Sequence, residues 1–364
     1  MLLIFSIILI CILYLILILI FYFGWKQILQ YEPKENEPSN TRISVVVACR
    51  NEQDHILSLI SALEKQSYQN FELILVNDHS VDQTGNYIKA AQTSFPNIQL
   101  LDVVGFGKKN ALKEGILSSK SDLIVTTDAD CLPSERWLES IVSFQEQFPT
   151  DLMICPVRIS ENGTFFSRFQ ALEFVSLVAS AAGSAGAGMP VLCNGANLAF
   201  KKSVWLKCQA DLHEEEQSGD DMFLLESVKK QGGTICFLKS ESAFVKTKPA
   251  DNLVEFIKQR RRWASKSTAY TDWQLIYTAC VVLAIDLLAI ILIVLSFYKS
   301  VYLFSLIALF TFKYLLDTGF LYSVRRFFKL KDTILYSFLL SVVYPFYIVF
   351  VVVSALVLKP VKWK

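Results

Sequence analysis

Two acids one residue apart, Asp128 and Asp130 in "TTDAD", close the apolar run "DLIVTTD". In extended backbone, side chains at i and i+2 point to the same side. Two carboxylates held that way repel at short range unless a cation neutralises them. Hard oxygen ligands of this kind suit Mg²⁺ or Mn²⁺. Carboxylates also follow two earlier apolar runs: Glu52 in "RNE" after "ISVVVAC", and Asp78 and Asp82 in "NDHSVD" after "FELILVN". Glu52, Ser80 and Asp82 taken singly also read as helix caps, as do Asp220 and Asp221 at the start of "DDMFLLESVKKQG".

The elements that carry these residues alternate. "ISVVVAC", "FELILVN", "IQLLDVV" and "DLIVTTD" are strand candidates, and helix-length segments lie between them, starting from about Glu52, near Val81 and at "KKNALKEGI". Such alternation predicts a mostly parallel sheet covered on both faces. Ligands of such sheets bind beyond the carboxyl ends of the strands, where these acids stand.

The chain of 364 residues is 53% hydrophobic, too apolar for one ordinary soluble domain, yet it holds 34 acids and 35 Lys or Arg. The two populations are segregated. Residues 2 to 23 carry no charge and exceed the roughly 20 residues that cross a hydrocarbon core. The run lacks the preceding Lys or Arg and the following small-residue site of a cleaved signal peptide. Three further apolar stretches lie near 275 to 297, 301 to 323 and 333 to 358. The expected order is an N-terminal transmembrane helix (1–24), a linker (25–41), a catalytic α/β domain (42–257), a juxtamembrane segment (258–273) and a C-terminal transmembrane region (274–364).

"KQRRRWASK" and "RRFFKLK" together hold nine Lys or Arg, against four at Lys299, Lys359, Lys362 and Lys364. By the positive-inside rule the polar block is cytoplasmic, in an integral membrane protein of the inner membrane if the source is bacterial. The basic tail dissents, and Pro345 is a candidate break that makes the last segment re-entrant. The eight cysteines form no C-x-x-C pair, which fits a reducing compartment, and the three His lie far apart, which speaks against zinc.

The ordered set "VVVACRNE", "VNDHSVDQT", "KKNAL", "TTDAD", "GANLAF", "SGDDMFL" and "QRRRW" resembles glycosyltransferase family 2, inverting GT-A enzymes, and in particular its membrane-bound members. The resemblance covers about residues 43 to 266. It implies a Rossmann-like GT-A domain with one N-terminal and about three C-terminal transmembrane helices. It implies that Asp78 and Glu52 line a nucleoside pocket, that Asp130 holds the metal with Asp128 beside it near the ribose or donor sugar, and that Asp221 is the catalytic base. Gln259, Arg262 and Trp263 match the Q-x-x-R-W motif, whose residues bind substrate. Two departures stand out: Asn77-Asp78 replaces a frequent acid pair, and Asp220-Asp221 replaces Glu-Asp, which leaves two acids for the base.

Sugar transfer from a nucleoside diphosphate builds charge on the departing diphosphate, which a divalent cation and a positioned Arg stabilise. The acceptor hydroxyl needs a carboxylate to take its proton. The implied partners are a nucleotide sugar, preferably a UDP-sugar, a lipid or glycan acceptor, and membrane lipids, with no nucleic acid. A lipid-linked acceptor is expected, because three C-terminal spans are few for enclosing a polymer channel. The alternatives are a processive polysaccharide synthase and, in another class, a non-catalytic nucleotide-sugar sensor, against which the intact Asp130, Asp221 and Arg262 argue.

Three further stretches carry expectations. In the basic run, Gln259, Arg262 and Trp263 lie within one helical turn and share a face, while Arg260, Arg261 or Lys266 face lipid. "SAAGSAGAGMPVLCNGAN" reads either as close helix packing with a flexible loop or as an acceptor-side lid. Among the apolar stretches, Lys313 and Asp317 stand four apart and pair, with Asp286 as a third costly charge.

Overall fold

The computed structural model describes residues 2–34, 39–212 and 219–358. From the N-terminus the chain runs α1 (Leu2–Gln27), β1 (Ile43–Cys49), α2 (Ile56–Glu64), β2 (Phe71–Asn77), α3 (Thr84–Ala91), β3 (Ile98–Asp102) and α4 (Lys108–Ser118). There follow β4 (Leu123–Thr126), β5 (Leu132–Pro133), α5 (Trp137–Gln147), β6 (Leu152–Ile154), β7 (Val157–Ile159), α6 (Phe165–Gly186), β8 (Leu198–Lys201), α7 (Lys202–Cys208) and α8 (Asp220–Lys230). The rest is β9 (Ile235–Phe237), β10 (Val245–Thr247), α9 (Leu253–Ala264), α10 (Trp273–Ser296), α11 (Ser300–Phe328) and α12 (Thr333–Val357).

These elements form two compact units. A sheet unit takes residues 28–160 and 192–248, and a helical unit takes the chain up to Gln27, Glu161–Val191 and the chain from Pro249 onward. Residues 161–191, expected inside an uninterrupted 42–257 block, therefore group with the long apolar helices.

In the sheet unit seven strands follow the order β3-β2-β1-β4-β8-β6-β9. β1 pairs in parallel with β2 and β4, aligning Val45 with both Leu73 and Val125, and β3 pairs in parallel with β2. Only β8 runs antiparallel to its neighbours. Every residue of β1 is buried, because helices cover both faces of a parallel sheet and its strands become continuous apolar runs. α4 lies close on the sheet at Gly115, where a Cβ would fall 2.5 Å from Val46 Cγ1. A second, three-stranded sheet has the order β5-β10-β7. Tyr31 and Glu32 of the expected linker are docked on this unit: Tyr31 donates its amide to the Lys239 carbonyl and packs edge-on against Phe144, while Glu32 accepts from the Glu241 amide.

Among the described residues the helical unit contains four helices long and apolar enough to cross a membrane: α1, α10, α11 and α12. α12 runs unbroken with Pro345 inside it, so the expected break there is not seen. The tail lysines Lys359, Lys362 and Lys364 lie outside the described residues. α1 and α6 meet at glycines: a Cβ on Gly183 would fall 2.4 Å from the Phe21 carbonyl oxygen. Residues 180–186 thus belong to a close helix contact, the packing reading of that Gly/Ala stretch. Lys313 donates to Asp317 at 2.7 Å, as its spacing predicts, and also to the Tyr14 hydroxyl at 3.2 Å. Asp286 is fully buried, 3.9 Å from Lys313, and neither of its oxygens has a hydrogen-bond partner among the described residues.

Candidate active site

Because β1, β2 and β4 are parallel and adjacent, the loops after Cys49, Asn77 and Thr126 emerge on one rim. The first two loops are laced together. Amides of Asn51, Glu52 and Gln53 donate to Ser80 Oγ, Thr84 Oγ1 and Asp82 Oδ2 at 3.1, 2.8 and 3.1 Å, and the Val81 amide returns a bond to Asn51 Oδ1 at 3.0 Å. This lacing explains why α2 and α3 start at Ile56 and Thr84, later than the residues after each strand suggest. Asn51 and His79 adopt positive φ angles of 55° and 54°, a costly conformation that clusters at functional loops.

Asp78 lies at the centre of this rim with no exposed surface. Its Oδ2 accepts from the Gly107 amide at 3.0 Å and lies 3.4 Å from Arg50 Nη1, and its Oδ1 is 3.0 Å from His79 Nδ1. The His79 ring stacks on Phe106 at 4.0 Å. Asn77, in place of a second acid, donates to Asp102 Oδ1 at 2.7 Å. Glu52 holds His55 Nδ1 at 2.9 Å.

Asp128 and Asp130 are half-buried, and with Cys131 they present ligand atoms within 4.8 Å of one another. Burial, and then the charges of Asp130 and Asp128, push the Cys131 thiol well above its ordinary value. The two carboxylates in this cluster suit a hard divalent cation. A residue not singled out from the sequence joins them: the Lys108 ammonium pairs with Asp128. Its neighbour Lys109 lies 4.0 Å from Asp220 Oδ1 and 5.1 Å from the Phe223 ring centroid. Two cations in the first turn of α4 oppose the helix dipole, and that violation of a local rule was the available sequence signal.

Asp221 stands in the first turn of α8, after Gly219 in the left-handed region at φ 101°. Its Oδ2 accepts from the Gly195 amide at 2.9 Å and its Oδ1 from the Met222 amide at 2.9 Å. Gly195 and Ala196 are in turn fixed to the end of β4: Thr126 Oγ1 donates to the Gly195 carbonyl at 3.0 Å and Thr127 Oγ1 to that of Ala196 at 2.9 Å. Buried Asn197 anchors the same turn through Trp137 Nε1 at 2.8 Å and the carbonyls of Pro156 and Ala243. The strand that leads to Asp128 and Asp130 thus also holds the loop that grips Asp221. Of "SGDDMFL", Ser218 lies outside the described residues.

Gln259, Arg262 and Trp263 lie on α9, in the helical unit. One expectation for this helix is corrected. Arg260 and Lys266, expected to face lipid, are 4% and 7% exposed, and Arg260 forms a two-pronged pair with Glu173 of α6. The matched fork of Glu173 offsets part of the cost of burying the guanidinium.

Residues 39–266 match the family described as "Glycosyltransferase like family 2". The poly-beta-1,6-N-acetyl-D-glucosamine synthase of Staphylococcus aureus is 27% identical over 191 residues, 50% of this chain and 46% of its own length. The protein of the same name from Staphylococcus epidermidis is 27% identical over 164 residues, 44% of this chain and 40% of its own. The chain therefore spans less than half the length of these curated relatives. A solved structure titled "Mannosyltransferase PcManGT from Pyrobaculum calidifontis in complex with GDP-Man and Mn2+" superposes with a TM-score of 0.61 at 16% identity, covering 94% of this chain and 99% of that one. At that identity the likeness speaks for the fold alone, and the fold is GT-A.

Proposed function

The chain belongs to glycosyltransferase family 2, and from that premise we propose a membrane-anchored, inverting transfer of a sugar from a UDP-sugar to a lipid-linked or membrane-proximal acceptor. The observation that carries this reading is the shared rim: Asp78, Asp128 and Asp130 stand at the ends of parallel strands, and Asp221 is held from the last of those strands.

Asp128 and Asp130 would hold Mg²⁺ or Mn²⁺, which when bound offsets negative charge on the departing diphosphate. Lys108 supplies a second positive charge at the same place. Asp221, with both oxygens oriented by backbone amides, keeps a second lone pair on each for the proton of the attacking acceptor hydroxyl. Asp78 has no exposed surface, so a nucleoside would reach it by displacing His79 or Arg50. The substrate roles of Glu52, Gln259, Arg262 and Trp263 rest on the motif resemblance and are tested by substitution. The catalytic domain is read as cytoplasmic, because its donor is made there and the basic runs favour that side.

A second reading, a processive synthase, is favoured by the names of the Staphylococcus relatives, which are polymer synthases. The test of the whole proposal is to supply membranes containing the protein with radiolabelled UDP-sugars and GDP-mannose, with and without EDTA. Transfer from a UDP-sugar that stops in EDTA supports the reading. No transfer from any donor, or transfer from GDP-mannose alone, defeats it.

A further inference from the structure

The one basic residue of "QRRRW" that the sequence turned toward lipid and the structure buries, Arg260, joins three helices at a point. Its Nε donates to Glu173 Oε1 at 2.9 Å and its Nη2 to Glu173 Oε2, while the Tyr347 hydroxyl of α12 donates to the same Oε1 at 3.0 Å. Glu173 is 2% exposed. On α9 itself Arg260, at a variable position of Q-x-x-R-W, reaches two of the motif's residues. Its Nη1 donates to Gln259 Oε1, and the guanidinium lies 4.3 Å from the Trp263 ring centroid and 4.5 Å from that of Phe256. Phe256 is stacked on Tyr347 at 5.6 Å. A buried ion pair is tolerable when its fork is fully matched. Here the match also fixes an amide and an indole that do not belong to the pair.

We propose that Glu173 and Arg260 are positioning residues for Gln259 and Trp263, and that the pair, backed by Tyr347, sets the indole orientation on which acceptor use depends. The proposal rests on the reading that gives Gln259 and Trp263 substrate roles, with the Trp263 ring as an aromatic platform for the acceptor. Lysine at position 260 keeps the charge but has no fork to engage both Glu173 oxygens and Gln259 at once. Glutamine at 173 keeps the shape but not the charge.

The test uses the full chain in nanodiscs, with UDP plus Mn²⁺ as the donor-site probe and acrylamide quenching as the probe of Trp263, whose emission is obtained by difference against Trp263→Phe. Glu173→Gln and Arg260→Lys should increase quenching of Trp263 and lower transfer in native membranes by about tenfold or more, as misplacement of a substrate-orienting group does. Their affinity for UDP should stay unchanged. Tyr347→Phe, which removes one hydrogen bond and no charge, should move the same readouts in the same direction by less, and it decides the matter if the other two variants do not fold. Unchanged Trp263 quenching, or UDP binding lost in step with transfer, overturns the proposal. Full transfer by Trp263→Ala would instead defeat the reading of Trp263, whatever Glu173 does.

Discussion

The backbone amide of Gly195 donates to Oδ2 of Asp221 at 2.9 Å, and the Gly195 carbonyl accepts from Thr126 at 3.0 Å. The candidate base is thus held through one residue by the strand that leads to the candidate metal ligands. Asp221→Asn leaves an oxygen to accept from Gly195 but cannot take a proton. Turnover is expected to fall about 10²-fold or more, with UDP binding kept and stability lowered by about 1 to 3 kcal/mol, because the Met222 amide loses its acceptor. Single-turnover transfer and melting of the same preparation check this. Near-normal turnover would move the role to Asp220 or remove it.

Lys108 and the cation compete for Asp128. With the Lys108 ammonium on that carboxylate, part of the repulsion between Asp128 and Asp130 is already relieved in the absence of metal. Lys108→Met should therefore bind Mn²⁺ alone more tightly, by about tenfold if the pair is worth about 1.4 kcal/mol. The same variant should bind UDP with Mn²⁺ more weakly, since it has lost a cation for the diphosphate. Titration calorimetry of each ligand reads both signs, and tighter UDP binding would remove Lys108 from the site.

Asp130→Asn tests the cation itself. It leaves Lys108 and Asp128 paired and halves the carboxylate set, so Mn²⁺-dependent UDP binding should be lost while the protein still folds. EDTA should abolish transfer by the unmodified chain, with Mn²⁺ or Mg²⁺ restoring it. Full activity in chelator would detach Asp128 and Asp130 from any metal role.

Strands β1, β2 and β4 were legible because continuous β-branched runs ending in acids have few other meanings. Lys108 was not singled out: the two lysines that oppose the dipole at the start of α4 mark an oddity, but the partner Asp128 lies on another strand-end loop and only the fold brings the two together. Arg260 was misjudged for a related reason: a basic run before an apolar helix looks like a lipid-facing collar, and its acid, Glu173, sits 87 residues earlier within α6. α6 itself has apolar residues all around it, so no periodicity marks which unit it joins. The late starts of α2 and α3 were hidden because the lacing of the two loops is a tertiary effect.

Gly183 has a steric reason to be glycine. A Cβ there would lie 2.4 Å from the backbone oxygen of Phe21, and backbone cannot swing aside as a side chain does. Gly183→Ala should destabilise the helical unit by about 1 to 3 kcal/mol, the usual range for overpacking. Thermal unfolding in one detergent checks this, and an unchanged midpoint would mean that α1 and α6 are free to separate.

Lys313 has two acids to answer, Asp317 at 2.7 Å and Asp286 at 3.9 Å. Removing either acid leaves the other to balance it, so Asp286→Asn and Asp317→Asn should each cost little. Removing both strands a buried ammonium and should cost about 3 to 5 kcal/mol, far more than the sum. A double-mutant cycle on detergent-solubilised stability measures the difference, and simple additivity would mean that the three charges do not share one cluster.

The last prediction concerns what the enzyme makes. A single sugar placed on a lipid gives a product that extracts into organic solvent and keeps one size as donor is increased. A processive synthase gives aqueous or insoluble material that lengthens with time and donor. The first outcome is the one expected from the proposed lipid-linked acceptor. Labelled product from membranes given UDP-N-acetylglucosamine should therefore partition with lipid at constant size. A product that lengthens would transfer the assignment to the polymer-forming class of the Staphylococcus relatives and leave Asp130 and Asp221 in their roles, since the bond-forming step is the same in both.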